Sequence, residues 1–209
     1  MRVYKQRKPS ILTPLFSIMR HHPRIPESAT LVFRWIRSHI YQWQQELYDG
    51  SQTLFERIRF IDGAFVIAIT SDEKIIITRQ EQPATEPYLG LTWGGIEEDE
   101  DPLTCAKREL REETGYMSDD WSLWKESEGW SNLLSYTYFF IARNCYKVSE
   151  GTNDPWEKIV LDFLTFDEFL MLTQEPTFRH HSDILPDLYE ARLSRTRYMH
   201  LRDIFFWNE

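Results

Sequence analysis

Cysteine is scarce in this chain, and its scarcity excludes two kinds of architecture. The 209 residues include two cysteines, Cys105 and Cys145. Two are too few for a disulfide framework, and their separation matches no metal-binding motif. We therefore expect a reducing, cytoplasmic environment. Cys105 is expected to be a small packing residue.

Long apolar runs, internal repeats and low-complexity segments are also missing. No segment approaches the roughly 18 uninterrupted apolar residues of a membrane-spanning helix, so we expect no membrane partner. Hydrophobic residues make up 42% of the chain and aromatic residues 15%, which is enough apolar material for a core and excludes general disorder. One substantial domain with an N-terminal extension is predicted.

Acidic residues are absent from the first 26 positions, which carry a charge of +6 within a total of -9. The remaining residues therefore carry -15, which argues against binding of long nucleic acid through many phosphate contacts. A small anionic substrate is still compatible with this charge if metal ions screen an acidic site. The basic arm is predicted to be solvated or packed on the surface. Its apolar stretch 11–19, broken by Pro14, does not resemble a secretory signal.

Turn signals divide the chain into short elements. Residues 31–48 have apolar positions at helical spacing, but the Asp49-Gly50 hairpin signal favours a strand there and a return strand over 52–60. The elements predicted elsewhere are strands at 64–70 and 74–79 around Ser71-Asp72-Glu73, strands at 135–143 and 158–164, and helices at 166–172 and 184–193. Because strands and helices do not alternate regularly, they indicate an α/β or α+β fold with a mixed sheet and packed helices.

Residues 94–116 read GGIEEDEDPLTCAKRELREETGY and contain their own helix signals. Asp101 can cap a helix that begins at Pro102, because a proline at the first position lacks an N–H that would have no partner there. Gly115 suits the left-handed residue that ends a helix. A helix over about 102–114 is therefore predicted.

Three glutamates of this helix, Glu109, Glu112 and Glu113, stand at positions i, i+3 and i+4 and so share one face. Another face is apolar, with Leu103, Ala106 and Leu110. Clustered carboxylates repel one another, which raises their pKa values or destabilises the helix unless a cation is present. Mg²⁺ favours oxygen ligands and shares its shell with substrate phosphates, so the cluster predicts a Mg²⁺ site that Mn²⁺ could also occupy. A solvated acidic helix is the alternative.

The spacing of this segment resembles the Nudix box. The matching residues are Gly94, Glu100, Arg108, Glu109, Leu110, Glu112, Glu113, Gly115 and Tyr116, of which only Tyr116 departs in type, from an aliphatic residue. The resemblance implies a Nudix fold, an α/β/α sandwich with a mixed β-sheet. It also implies that the metal is held by Glu109, Glu112, Glu113 and the backbone carbonyl of Trp93. Catalysis is assigned to Glu112 and Glu113, and Gly94, Glu100 and Arg108 are expected to orient the ligands.

A weaker resemblance, over roughly residues 45–175, is to ADP-ribose pyrophosphatases. It rests on the Asp-Gly hairpin, the sequence ArgGlnGluGln at 79–82, the box, an aromatic strand and a late glutamate. It implies Glu157 as a metal ligand or catalytic base and Arg79 and Glu81 as substrate-binding residues. Gln82 departs from an arginine that such relatives often carry.

The predicted organisation is an N-terminal arm and hairpin extension over 1–58 and a Nudix hydrolase domain over 59–209 with its box at 94–116. The resemblance implies that the hairpin builds a homodimer. Aromatic residues that could stack on a base are Trp35, Tyr41, Trp43 and Trp130. The pairs His21-His22 and His180-His181 are interpreted as solvated and not as metal ligands.

The function expected from these features is Mg²⁺-dependent hydrolysis of the diphosphate linkage of a nucleoside diphosphate derivative, such as ADP-ribose or a similar nucleotide sugar, by metal-activated water. Two alternatives remain. One is a housecleaning nucleoside triphosphate pyrophosphohydrolase, and the other is a non-catalytic Nudix module that senses a nucleotide. The presence of every box glutamate favours an enzyme.

Overall fold

The protein is represented by a computed structural model, which describes residues 22–129, 131–152, 155, 157–179 and 183–207. The basic arm up to residue 21, which includes His21, therefore lies outside the described residues. The same holds for Trp130 and for His180-His181. Within the described ranges, no helix has both the length and the apolar composition needed to cross a membrane.

Short strands dominate the described part of the chain, and four helices pack on them. The strands are β1 Thr30–Arg34, β2 Ser38–Glu46, β3 Gln52–Phe60, β4 Gly63–Thr70, β5 Ile75–Gln82, β6 Thr85–Gly90, β7 Thr92–Gly95, β8 Tyr116–Met117, β9 Asp120–Glu128, β10 Leu133–Leu134, β11 Tyr136–Lys147, β12 Lys158–Leu164 and β13 Phe178–Arg179. The helices are α1 Pro102–Glu109, α2 Phe166–Met171, α3 Leu185–Leu193 and α4 Arg195–Phe206.

An N-terminal sheet has the order β1-β2-β3-β10, in which β10 runs parallel to β3. β2 and β3 pair continuously from Ser38↔Phe60 to Glu46↔Gln52, so the strand interpretation of this region is confirmed and the helical alternative is wrong. The turn follows from its sequence. Gly50 has a φ of 83°, and Asp49 Oδ1 accepts hydrogen bonds from the backbone N and the hydroxyl of Ser51 at 3.0 and 2.6 Å.

The second sheet is mixed, which confirms the predicted fold class. β4 pairs in parallel with β11 and antiparallel with β7, while β9 and β8 pair with β11. β5 lies between β6 and β12, and β13 adds in parallel to β6. The strands on either side of Ser71-Asp72-Glu73 are both present. These two strands, β4 and β5, pair only at Ile69↔Ile75. Beyond this point β4 pairs with β7 and β11, and β5 pairs with β6 and β12, so the short contact links the two groups of strands.

Alternation along β4, β5 and β11 sends successive side chains to opposite faces of the mixed sheet and produces two apolar layers. The layer against α1 contains Val66, Ala68, Ile76, Cys105, Ala106, Leu110, Phe140 and Ala142. The layer against α2, α3 and α4 contains Ile67, Ile69, Ile75, Ile77, Phe139, Ile141, Phe169, Leu188 and Phe205. The result is a helix–sheet–helix sandwich, with α1 alone on the face that we call the box face.

The end of α4 is held by a buried arginine of β11. Arg143 is 5% exposed and donates from Nε to the carbonyl of Phe205 at 2.8 Å and from Nη2 to that of Ile204 at 2.5 Å. These carbonyls lie at the negative end of the helix dipole, where a cation is favoured. Arg143 therefore fixes a helix that the sequence did not predict.

His22 corrects one expectation, because it is buried and not solvated. Its ring is 1% exposed and stacks on Tyr136 with a centroid separation of 5.1 Å. Nε2 of His22 lies 3.0 Å from Glu128, while burial, the dominant effect, lowers the pKa of the imidazole. The histidine thus packs where the described part of the N-terminal segment meets the mixed sheet.

Candidate active site

The helix predicted over about 102–114 is confirmed and has two parts. Asp101 caps α1 by accepting from the backbone N of Leu103 and of Thr104, each at 3.0 Å. Beyond α1, residues Leu110–Thr114 form a wider π-helical turn that ends at Gly115 with a φ of 75°. The acidic residues therefore lie at an irregular helix end, which is common at functional sites.

The segment 148–152, which follows β11, makes hydrogen bonds to this helix end. The backbone N of Thr152 donates to the carbonyl of Glu112 at 2.7 Å, and that of Val148 donates to Gly115 at 2.9 Å. A Cβ on Gly115 would lie 2.1 Å from the carbonyl oxygen of Ser149. Glycine is therefore required at position 115 for two reasons, the left-handed backbone and the close approach of this segment.

Arg108 connects the acidic residues to one another. It binds Glu100 through two hydrogen bonds of 2.9 Å, from Nε and Nη2. Its Nη1 lies 2.5 Å from Glu109 and 3.3 Å from Glu112. Nη2 also donates to the carbonyl of Gly95 at 3.2 Å. The planar guanidinium suits this fork-like pairing, and the orienting role that the resemblance implied for Arg108 and Glu100 is consistent with the geometry.

Gly94 makes room for the carboxylate of Glu109. A Cβ at position 94 would lie 1.9 Å from both Cδ and Oε1 of Glu109, which no side chain can tolerate. The carbonyl of Gly94 lies 3.6 Å from Sγ of Cys105, a fully buried residue of α1. Glycine is therefore required at position 94 because the carboxylate of Glu109 occupies the space of a side chain. Cys105 packs against this glycine as expected.

Glu113 is buried with its charge poorly compensated. Burial is the main cause that raises its pKa well above the ordinary glutamate value of 4.5, and the negative charges of Glu109 and Glu157 raise it further. The backbone amide of Trp93 and the hydroxyl of Thr92 oppose this shift. Oε2 of Glu113 is buried and has no hydrogen-bond partner among the described residues. The pKa of Glu109 is also raised, again mainly by burial.

A hard divalent cation fits these donors chemically. It would supply a partner to Oε2 of Glu113 and lower the pKa of both buried carboxyls. The side chains are not arranged as a finished site, since within the described ranges no three Asp, Glu, His or Cys side chains converge closely enough to hold a metal. Arg108 instead contacts Glu109 and Glu112. Ligation by these glutamates and by the carbonyl of Trp93 therefore stays a prediction.

Glu157 is brought to the same place from a distant part of the sequence. Its Oε1 accepts a hydrogen bond from Nε2 of Gln82 at 2.7 Å, and its charge raises the pKa of Glu113. Nε2 of Gln82 also lies 3.1 Å from the hydroxyl of Tyr88, which donates to Oε1 of Gln80 at 2.5 Å. The structure thus joins the late glutamate to the box through a network that the sequence did not reveal.

Arg79 and Glu81 are not brought to this network. They alternate with Gln80 and Gln82 along β5 and therefore project from the opposite face. There Arg79 pairs with Asp162 at 2.7 Å and Glu81 with Lys158 at 3.2 Å, and both predicted residues are more than half exposed. Their predicted contact with substrate stays untested.

The three aromatic candidates for base stacking that the structure describes belong to the N-terminal sheet or its first turn. Trp43 is 8% exposed and packs on Phe55 with a centroid separation of 6.0 Å. Trp35, in contrast, is 67% exposed. Trp43 is therefore a core residue of this sheet, and Tyr41 lies on the same strand.

Two features define the class of this protein. One is the mixed α/β/α sandwich, and the other is the helix end whose glutamate packs against Gly94 of β7. The NUDIX domain model matches residues 59–188, and the chain belongs to the Nudix family. It is a Nudix hydrolase, and its fold matches that of an ADP compounds hydrolase whose crystal structure superposes with a TM-score of 0.64. That likeness covers 78% of this chain and 89% of the other at 23% sequence identity, and it concerns the fold alone.

Individual relatives are similar over different shares of the chain. A methanol dehydrogenase activator of Bacillus methanolicus is 32% identical over 135 residues, which cover 62% of this chain and 72% of that relative. An ADP-ribose pyrophosphatase of Bacillus subtilis is 33% identical over 80 residues, 38% of this chain and 43% of the relative. The ADP compounds hydrolase NudE of Escherichia coli is 30% identical over 113 residues, 53% of this chain and 61% of the relative. The chain thus spans less than two thirds of the latter two.

Proposed function

We propose that this Nudix hydrolase cleaves the diphosphate linkage of a nucleoside diphosphate derivative, ADP-ribose or a similar nucleotide sugar, with Mg²⁺ as cofactor and Mn²⁺ as a possible substitute. The observation that carries the proposal is the buried, unpartnered Oε2 of Glu113 beside the charges of Glu109 and Glu157. The printed names of two relatives, ADP-ribose pyrophosphatase and ADP compounds hydrolase, support the substrate class.

The residues that would hold the metal are Glu109, Glu112, Glu113 and the carbonyl of Trp93. When bound, the metal would screen the charge of the diphosphate and lower the pKa of a water molecule. Glycine at position 94 lets Glu109 reach the strand, and Arg108 sets the rotamers of two of these glutamates through its ion pairs. These contacts hold Glu109 and Glu112 near the strand, and metal binding would bring their carboxylates together as ligands.

Proton transfer is assigned to Glu157, with Glu112 and Glu113 as the other catalytic glutamates. The carboxylate of Glu157 would accept a proton from the attacking water as the water oxygen bonds to phosphorus. The anhydride P–O bond then breaks, and the two halves leave as monophosphates. Gln82 supports this role because its hydrogen bond to Oε1 helps to position the carboxylate of Glu157.

The decisive experiment is a turnover screen of the purified chain with Mg²⁺. Substrates would include ADP-ribose, other nucleotide sugars, dinucleotides and oxidised nucleoside triphosphates, with products identified by chromatography and phosphorus NMR. We expect ADP-ribose or a related compound to yield two monophosphates, and we expect a chelator or Glu112→Gln to abolish the reaction.

The two alternative functions give different outcomes in the same screen. Release of pyrophosphate from triphosphates, with no cleavage of diphosphate compounds, would establish a triphosphate pyrophosphohydrolase. Tight nucleotide binding without turnover of any compound would establish a sensing module. Either result would refute the proposed reaction.

We also propose a homodimer formed through the N-terminal sheet, with residues 1–58 as an extension and 59–209 as the hydrolase domain. Large apolar side chains remain exposed on and beside this sheet, and a cluster of this kind is typical of an interaction surface. They are Val32 at 48%, Phe33 at 52%, Trp35 at 67%, Ile36 at 79% and Leu54 at 57% exposure. Two buried free cysteines and a nucleotide substrate support a cytoplasmic location.

A further inference from the structure

We propose that Arg179, which is seated on the ring of Tyr88, binds the diphosphate of the substrate and is a specificity-determining residue of the active site. The proposal rests on the proposed function and extends it to β13, a two-residue strand outside the Nudix box. No feature of the sequence singled out this arginine.

The register of the sheet points Arg179 towards the box face. β13 pairs in parallel with β6, so that Phe178 lies beside Leu89 and Arg179 beside Gly90. Phe178 is 4% exposed and belongs to the apolar layer against α2 and α3. Because neighbouring residues of a strand point to opposite faces, Arg179 projects from the other side, which carries α1 and the glutamates.

Contacts between side chains connect Arg179 to Glu157. The guanidinium carbon of Arg179 lies 3.7 Å from the centroid of the Tyr88 ring. The hydroxyl of Tyr88 lies 3.1 Å from Nε2 of Gln82, which donates to Glu157 at 2.7 Å. The chain of contacts therefore runs from β13 through β6 and β5 to the late glutamate.

The electrostatics of Tyr88 agree with this placement. Burial is the main cause that raises the pKa of its phenol; the charge of Arg179 lowers it, and the charges of Glu157 and Glu113 raise it. Tyr88 thus experiences Arg179 and two of the acidic residues together. The arginine and the glutamates share one electrostatic environment, although they come from separate parts of the chain.

The chemistry of the site calls for such a cation. Glu109, Glu112, Glu113 and Glu157 make the site strongly acidic, and a diphosphate brings further negative charge. Arg108 is engaged by Glu100, Glu109 and Glu112, so its charge is already compensated. Across the described residues Arg179 forms no ion pair and is exposed. Its guanidinium stacks on Tyr88 and hydrogen-bonds to that phenol, and its remaining N–H groups suit a bidentate phosphate contact.

The test compares Arg179→Gln and Arg179→Lys with a matched control, Arg195→Gln. Arg195 also lies over a tyrosine ring, that of Tyr198 at 5.3 Å, but it belongs to α4 on the other side of the sheet. For each variant, kcat and KM for ADP-ribose are measured with Mg²⁺, together with calorimetric affinity for inorganic pyrophosphate. Circular dichroism and thermal unfolding establish that each variant is folded.

We expect Arg179→Gln to weaken pyrophosphate binding and to raise KM by about 10- to 100-fold, the effect of losing a hydrogen bond to a charged group. Arg179→Lys should recover part of the affinity, because it restores the charge but not the fork. Arg195→Gln should behave as wild type. Added guanidinium ions should partly restore the activity of Arg179→Ala and should not increase the activity of the wild type.

Failure of this proposal and failure of the proposed function give different results. Cleavage of ADP-ribose by the wild type, with unchanged KM and pyrophosphate affinity in Arg179→Gln, would overturn the role of Arg179 and leave the function intact. Weaker pyrophosphate binding by this variant, in a chain that cleaves no diphosphate compound, would support the phosphate contact and overturn the function. No measurable pyrophosphate binding by the wild type would overturn the role of Arg179.

Discussion

Gln82 and Glu157 are 75 positions apart in the chain, yet Nε2 of Gln82 donates to Oε1 of Glu157 over 2.7 Å. The bond joins the end of β5 to the residue that precedes β12. It holds a carboxylate that carries no resolved ion pair in the described part of the chain. The orientation of Glu157 therefore depends on an uncharged neighbour.

We predict that Gln82→Leu lowers kcat by about 10-fold, within the 10- to 100-fold range for a partner that orients a functional group. Glu157→Gln should lower kcat by roughly 10²- to 10⁴-fold, the range for a positioned acid–base residue. Steady-state kinetics check both. Gln42→Leu is the matched control, because Gln42 makes a similar 2.8 Å bond to Glu56 in the N-terminal sheet. Equal activity of the Gln82 and Gln42 variants would contradict the orienting role.

Glu113 should make the stability of the metal-free protein depend on pH. Its pKa in the folded state is raised above the ordinary glutamate value of 4.5, so the folded state binds the proton more tightly than the unfolded state does. This contribution is fully present below pH 4.5 and is lost as the pH rises towards the raised value. Thermal unfolding without metal should therefore show falling stability over this interval, and Glu113→Gln should remove that dependence.

Mg²⁺ should reverse the order of stability at neutral pH. We expect Glu113→Gln to melt above the wild type in the presence of a chelator, because the amide removes a buried charge. With Mg²⁺ the wild type should gain stability and the variant should gain little, since ligand binding stabilises the folded state. The variant should also lose roughly 10²- to 10⁴-fold in kcat. A parallel response of both proteins to Mg²⁺ would refute ligation by Glu113.

Gly94→Ala should impair the site through Glu109. The added methyl group would occupy the position of the Glu109 carboxyl, at 1.9 Å from its Cδ, and force that side chain away. We predict lower thermal stability and a metal affinity reduced by about 10- to 100-fold. The double variant Gly94→Ala/Glu109→Ala tests the cause, because removing the carboxyl should relieve the stability loss from the methyl group. Additive stability losses would place the clash elsewhere.

Arg143→Met should detach the end of α4 without altering the chemistry. The substitution leaves two buried carbonyl acceptors without a donor and the partly exposed Asp120 without its cation, and an unsatisfied buried acceptor costs about 1–3 kcal/mol. Denaturant unfolding should report that loss, while kcat of the folded fraction stays near wild type. Arg197→Met, whose partner Glu190 is 56% exposed, should cost less than about 1 kcal/mol. Equal losses in the two variants would disprove the anchoring role.

The N-terminal sheet should determine the oligomeric state. We predict that Phe33→Glu with Trp35→Glu converts a homodimer into monomers, because charges replace two exposed apolar side chains of the proposed interface. Sedimentation velocity measures the change. Leu193→Glu, at an 87% exposed position at the end of α3, is the control and should leave the dimer intact. A wild-type monomer at micromolar concentration would be inconsistent with the proposal.

The sequence predicted those parts of the fold whose signals are local. The strands 52–60 and 158–164 have the predicted bounds, and the capped box helix begins and ends where Asp101 and Gly115 indicate. The strand β9 and the helix α4 were missed. The end of α4 depends on a buried contact with Arg143, which the sequence around the helix does not contain. Local patterns cannot disclose an element that a distant side chain stabilises.

The site residues also fall into two groups, those that local sequence patterns predict and those that only the sheet order brings together. The box residues follow from spacing along one helix, and the contacts of Arg108 with Glu100, Glu109 and Glu112 connect them. Tyr88 and Arg179 come from two strands whose proximity depends on sheet order, which no short motif encodes. For Arg79 and Glu81, alternation along β5 turns both side chains away from the box face. A motif therefore gives the residues at the helix end, and topology decides what surrounds them.

The arrangement of the acidic site depends on one residue, Arg108. Because one guanidinium contacts three of its carboxylates, a mutation that removes this group disturbs all three at once, and no second change at one glutamate can restore them. Lineages that abandon hydrolysis could do so in one codon change while retaining every glutamate. The presence of all the box glutamates in a descendant sequence would then not predict activity unless the arginine is present as well.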